Sequence, residues 1–176
     1  MIHPFETHLP EIHPSARIAR NATLAGDVTV DERASIWYGA VLRGDEDAIR
    51  VGAESNIQDN AVLHCEGGCP MVVGRRVTVG HGAILHGCTV EDGALIGMGA
   101  ILLNNCVIGA GSLVAAGALV TQGTVVPPGS LVVGAPARVK RPLRPEELEE
   151  LSADVDKYLG LAEQLPLYDA AYGGRP

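Results

Sequence analysis

The 176 residues amount to one domain's length of chain, 47% apolar but only 3% aromatic, so small aliphatic side chains rather than rings must fill the interior. A net charge of -8 argues against a nucleic-acid or anionic-membrane surface, because phosphate binding needs clustered Lys and Arg. The partners this leaves are small molecules and other protein chains.

The opening MIHPFETHLP lacks the basic start and apolar run of a signal peptide. The longest apolar run, around Val107 to Val120, is interrupted by Gly and Ser and falls short of the roughly 18 residues a membrane helix needs. A soluble, cytoplasmic protein is the expectation. His3, His8 and His13 lie in this lead-in and are expected at the surface.

From Ile12 a six-residue phase begins. Ile18, Leu24, Val30, Ile36 and Leu42 follow at intervals of six, and the phase resumes at Val51, Ile57 and Leu63, then at Val73, Val79 and Leu85. It resumes again at Val90 and runs through Ile96, Leu102, Ile108, Val114, Val120 and Val126 to Val132. Four residues after many of these stands a small side chain, as at Ala16, Ala34, Ser55, Ala83 and Ala118, and Gly often follows directly, as at Gly52, Gly80 and Gly97. A period of six fits neither an amphipathic helix nor a simple alternating strand. It suits a short strand and a tight corner, with the aliphatic pointing inward and a small residue where the chain bends closely.

Cys88 and Cys106 occupy positions of this repeat otherwise held by Ala or Ser, so they are expected as small buried thiols. Cys65 and Cys69 fall in a short insertion beside His64. There they read as free thiols of a reducing compartment, with a redox-sensitive bridge as the alternative.

After Val133 the period fades through GAPARVKRPL. Leu148, Leu151, Val155, Tyr158, Ala162 and Leu165 then recur at steps of three and four, the apolar stripe of an amphipathic helix. Pro145 suits its first turn, and Glu146 and Glu147 suit the positive end of its dipole. The division expected is a β domain with its lead-in over 1–142, then a C-terminal helix and tail over 143–176, the end from Pro166 through Gly173, Gly174 and Pro176 being loose.

The hexads resemble those of left-handed parallel β-helices. The resemblance implies an all-β solenoid in which three hexads make one triangular coil, an exception to the usual crossover hand. Coils stacked about 4.8 Å apart share a core, each inward aliphatic contributing on the order of 1.5–3 kcal/mol. Three hexad steps separate Leu63 from Leu85, so His64 and His86 stack on adjacent rungs, where two imidazoles can converge on one Zn²⁺ at about 2.0–2.1 Å. His81 lies on the preceding face, out of reach of the same metal within one chain, and a neighbouring subunit could supply it.

Combined with "RGDED", "NIQD", "LH", "GH" and "LHG", this register makes the chain similar to the γ-class carbonic anhydrases over nearly its whole length. The resemblance implies reversible hydration of CO₂ to bicarbonate by a metal-bound hydroxide at the interface of a homotrimer. His64, His81 and His86 would be the ligands of Zn²⁺, with Fe²⁺ or Co²⁺ as alternatives. It also implies an intersubunit pair between Arg43 and Asp59, an amide at Gln58 facing the metal's water, and Asp45 in the same polar shell. Tyr158 matches the family's "Y-x-x-L-A" pattern, although the asparagine that accompanies it has no match around Ala153 and Asp154. The family's acidic loop is mostly missing, which leaves Glu66 and Glu46 as the carboxylates for proton transfer. Two other functions fit the hexads: an acyltransferase using acyl-coenzyme A, and a trimeric metal-binding homologue with weak or no catalysis.

Overall fold

Every aliphatic of the six-residue phase from Ile18 to Val132 is buried to 2% exposure or less, and the small residues at the bends are as deeply buried. The computed structural model describes residues 1–167. In it the chain winds into a left-handed parallel β-helix of about seven turns with a C-terminal helix. Gly173, Gly174 and Pro176 lie outside the described residues. The six-residue period becomes two- and three-residue strands, too short to stand alone, that pair only with the same phase of the coils above and below.

Three faces result. The first stacks Val62–His64, Ile84–His86, Ile101–Leu102 and Leu119–Val120. The second stacks Met71–Val73, Thr89–Val90, Val107–Ile108 and Val125–Val126. The third is a sheet of eight strands that includes Asn56–Ile57, Thr78–Val79 and Leu95–Ile96. Two longer strands, Thr23–Val30 and Val41–Val51, run through the corner between the first two faces and join them into one sheet. The corner is enlarged where the period of six is interrupted. The insertion after Leu63 is a tight turn in which Cys69 N–H donates to the Glu66 carbonyl at 2.7 Å.

All four cysteines are free. Cys88 and Cys106 are core thiols, as expected. Cys65 belongs to the core as well, because its side chain points back beneath the turn, where its thiol donates to the Asp47 carbonyl at 2.8 Å.

The last coil ends differently from expectation. Ala137–Pro142 does not fade into a linker but folds back antiparallel onto Ser130–Gly134. With no further inward aliphatic at the next sixth position, the chain covers the end of the stack with a hairpin. The helix Pro145–Ala162 follows. Arg144 N–H donates to the Glu147 carboxylate at 2.8 Å, closing the first turn as in a capping box. Leu151, Val155 and Ala162 are buried, whereas Leu148 is largely exposed and Leu165 is buried beyond the helix end.

The helix lies along the third face and returns toward the first coil. Arg76 bonds Ser152 and Asp156, Thr78 bonds Asp154, Trp37 packs edge-on to Tyr158, and Arg17 donates to the Leu165 carbonyl at 2.9 Å. No helix among the described residues is long and apolar enough to cross a membrane.

Inward and outward positions differ sharply in what they contribute. Ile108→Ala, at a fully buried position, is expected to lower stability by about 2–5 kcal/mol. Val125→Ala, at a position 70% exposed, is expected to change it by less than about 0.5 kcal/mol. Denaturant unfolding of the two variants, compared at equal slopes, measures both.

Candidate metal centre

The rung register sets the first group of polar side chains. Arg43, His64 and His86 are successive partners on the first face, each one residue beyond an inward leucine. The two imidazole centroids are 4.9 Å apart, and His64 Nδ1 lies 3.0 Å from His86 Nε2. The other nitrogen of each ring is engaged. His64 Nε2 is 3.0 Å from Asp45 Oδ1, and His86 Nδ1 meets Oδ1 of Asn104. Asp45 also binds Arg43, and the Asn104 amide donates to the exposed Glu66 carboxylate. Burial alone would raise the Asp45 carboxyl, but the bonds from His64 and Arg43 outweigh it and hold the group below its ordinary value.

Carboxylate and amide oxygens only accept, so each of these contacts places the ring proton on the engaged nitrogen. The facing nitrogens then carry lone pairs, opposed at 3.0 Å, an arrangement that a shared cation relieves. Two nitrogens of a tetrahedral site with 2.0–2.1 Å bonds stand about 3.3 Å apart. The imidazole pair therefore fits a divalent metal in both donor chemistry and spacing.

The second group stands at the corner that follows the third face. Asp59 and His81 occupy the same outward position on adjacent rungs, with Asp59 Oδ2 2.8 Å from His81 Nδ1. The turns that carry them need left-handed backbone at Asn60 (φ 59°) and Gly82 (φ 66°), residue types that tolerate it. His81 therefore repeats the pattern of the other two: an oxygen acceptor holds one nitrogen, and its Nε2 points away, 3.4 Å from the Tyr158 hydroxyl. Burial raises the Tyr158 phenol, and the nearby Asp154 and Asp59 carboxylates add to the effect.

A cleft of about 400 Å³ opens beside His81, lined among others by Gln58, Met98, Asp154, Lys157 and Tyr158. Beneath it runs a chain of polar groups. Gln58 Nε2 donates to Asn56 Oδ1 (3.0 Å), Asn56 Nδ2 to Thr78 Oγ1 (2.9 Å), and Thr78 Oγ1 to Asp154 Oδ2 (3.1 Å).

One chain thus gathers Arg43, Asp45, His64, Glu66 and His86 in one place and Gln58, Asp59, His81 and Tyr158 in another. Arg43 and Asp59 are each engaged within their own group, and Glu46, next to Asp45 in the chain, is exposed. Among the described residues, no three His, Cys, Asp or Glu side chains of one copy converge on a common cation position. Sequence reasoning missed Asn104, Asn56 and Thr78. Extending the coil count one rung beyond His86 leads to Leu103, and Asn104 lies one residue past that register. Asn56 and Thr78 share the outward phase two residues before Gln58 and Gly80. Asp154 has no periodic signal.

Known proteins resemble the chain in sequence and in shape. The family described as bacterial transferase hexapeptide (six repeats) matches residues 87–122. The "Probable carbonic anhydrase" of Methanocaldococcus jannaschii is 50% identical over 157 residues, covering 89% of this chain and 99% of that protein. "Gamma carbonic anhydrase 1, mitochondrial" of Arabidopsis thaliana is 44% identical over 88% of this chain, which spans 58% of that longer protein. A solved hexapeptide transferase family protein from Anaplasma phagocytophilum superimposes with a TM-score of 0.90 at 42% identity, covering 93% of this chain and 96% of that one. With half of its residues shared along nearly the full length of a relative, and with histidines stacked in this register, the chain belongs to the γ-class carbonic anhydrase family of hexapeptide-repeat proteins.

Proposed function

We propose that the protein is a carbonic anhydrase that interconverts CO₂ and bicarbonate at a metal site completed between copies of the chain packed about a threefold axis. In that assembly His81 of one copy stands beside His64 and His86 of the next. The three imidazoles would hold Zn²⁺, with Fe²⁺ or Co²⁺ as the alternatives. One observation carries this reading: all three histidines keep one ring nitrogen on an oxygen acceptor and turn the other away from it, two of these being opposed at 3.0 Å and the third facing the Tyr158 hydroxyl at 3.4 Å. Three histidine ligands with a position left open is the pattern of catalytic rather than structural zinc.

Assembly has independent support in the first face. Val41, Val62, Ile84, Ile101 and Leu119 form an outward column of aliphatics beside the histidine pair, with Ile84 41% exposed. An apolar column next to half of a site suits burial against another copy. Arg43 and Asp59 would pair across the same boundary.

When bound, the ion supplies Lewis acidity, lowering the pKa of a coordinated water from 15.7 to about 7. The chain's own residues do the rest. Asp45, Asp59 and Asn104 fix the ring orientations, as partners of ligating histidines do. Gln58 and Tyr158 offer polar contacts to a small substrate in the cleft. Each hydration releases one proton, for which Glu66, exposed and bonded to Asn104, is the route to solvent, with the exposed Glu46 as the second candidate.

A second reading is acyl transfer from acyl-coenzyme A, with a histidine as general base. It is favoured by a cleft of about 400 Å³, larger than CO₂ requires, and by the transferase designation of the similar solved protein.

Stopped-flow hydration of CO₂ by protein loaded in turn with each metal separates the readings. Metal-dependent turnover without acyl-coenzyme A binding is expected, and coenzyme binding with no hydration under any metal would reverse the choice. The shared site makes its own prediction. His64→Ala and His81→Ala each lose the metal when pure. In random mixed trimers made from equal parts of the two, about a quarter of the sites pair an intact His64 copy with an intact His81 copy and regain it. Metal content of the refolded mixture, measured by elemental analysis, checks this.

A further inference from the structure

The chain of groups beneath the cleft has a direction, and its far end determines it. A carboxylate only accepts, so the Thr78 hydroxyl must spend its single proton on Asp154. Thr78 Oγ1 is then an acceptor toward Asn56, which must present its NH₂ there and its Oδ1 toward Gln58. Gln58 in turn must present its NH₂ to Asn56. Asn56, Gln58 and Thr78 are 4% exposed or less, so water does not scramble the order. Oε1 of Gln58 has no partner among the described residues, and no buried side-chain oxygen or nitrogen among them is left unbonded; this oxygen therefore opens on the cleft that Gln58 lines with His81. Without the carboxylate the same groups bond equally well in reverse. Thr78 would donate to Asn56, Asn56 to Gln58, and the Gln58 NH₂ would face the cleft.

We propose that Asp154 is a positioning residue: acting through Thr78 and Asn56, it sets the Gln58 amide so that its carbonyl oxygen, an acceptor for a water or hydroxyl donor, faces the site. A group on the C-terminal helix thereby decides the hydrogen-bonding sense of a side chain on the β-helix without touching it. The consequence for turnover rests on the carbonic anhydrase reading above, whereas the orientation itself does not.

The chain has three glutamines, Gln58, Gln122 and Gln164, so ¹⁵N-glutamine labelling gives three side-chain NH₂ pairs. In the native assembly one Gln58 Nε2 proton is expected to exchange slowly with solvent and to be shifted by its bond to Asn56. Asp154→Ala and Thr78→Val should reduce that protection, because the two senses then compete, and Thr78→Ser, whose hydroxyl makes the same relay, should retain it. Thermal unfolding of each variant identifies any that is merely misfolded. In hydration assays, Asp154→Ala and Thr78→Val should each lower kcat/KM by about twofold or more, the loss when the two amide senses become equally populated. Neither should lower it further in a Gln58→Ala background. A Gln58 signal unchanged in both Asp154→Ala and Thr78→Val overturns the proposal, as does additivity with Gln58→Ala. Wild-type protein that shows the protected proton but hydrates no CO₂ would overturn the functional reading and leave the positioning role standing.

Discussion

Parallel stacking in strict register is the constraint on which the rest of the structure depends. A two-residue strand gains almost nothing alone, so each coil holds only because its neighbours present the same phase at about 4.8 Å. That requirement puts aliphatics above aliphatics in the interior, and it does the same on the outside, where Arg43, His64 and His86 become rungs of one ladder. Placing two imidazole nitrogens 3.0 Å apart needs no dedicated loop, only two histidines at one phase on adjacent turns. The corners work the same way, setting Asp59 directly below His81.

The polar chemistry follows from what the ladder leaves unbalanced. Every histidine of the two groups is held by an oxygen acceptor, a supporting arrangement normally built around a cation. The two groups sit at different corners of one prism, and in the proposed site each supplies only part of the ligand set. A rigid solenoid cannot bend to bring them together, so joining them is a matter of packing prisms rather than of closing one. The outward aliphatic column beside His64 and His86 is consistent with that.

The parts legible in the sequence are those that repeat. The inward phase from Ile18 to Val132 was readable because a period of six has few structural solutions, and the stacking of His64 on His86 followed from it once three hexads were assigned to a coil. Features set by single events were not readable. The return strand Ala137–Pro142 replaces a repeat with a hairpin, and no periodicity announces it. The helix stripe placed Leu151 and Val155 correctly but also took in Leu148, which stays largely exposed, because the narrow third face covers only part of the helix. Asn104 and Asp154 matter through one hydrogen bond to a distant partner, a kind of signal that composition and spacing do not carry.

The return of the helix along the stack has a consequence for how such a protein can change its size. Eighteen residues of α-helix reach about 27 Å, close to the height of six rungs at about 4.8 Å, so the helix acts as a measuring rod laid against the coils. Repeat proteins without such a rod lengthen or shorten freely by whole units. Here a duplicated coil above His86 would raise the helix origin by one rung while leaving Trp37 and His81 where they are, so Tyr158 would come to rest a storey too high. The number of coils and the length of the helix are therefore tied together, and either can be altered by gene duplication only if the other is altered with it.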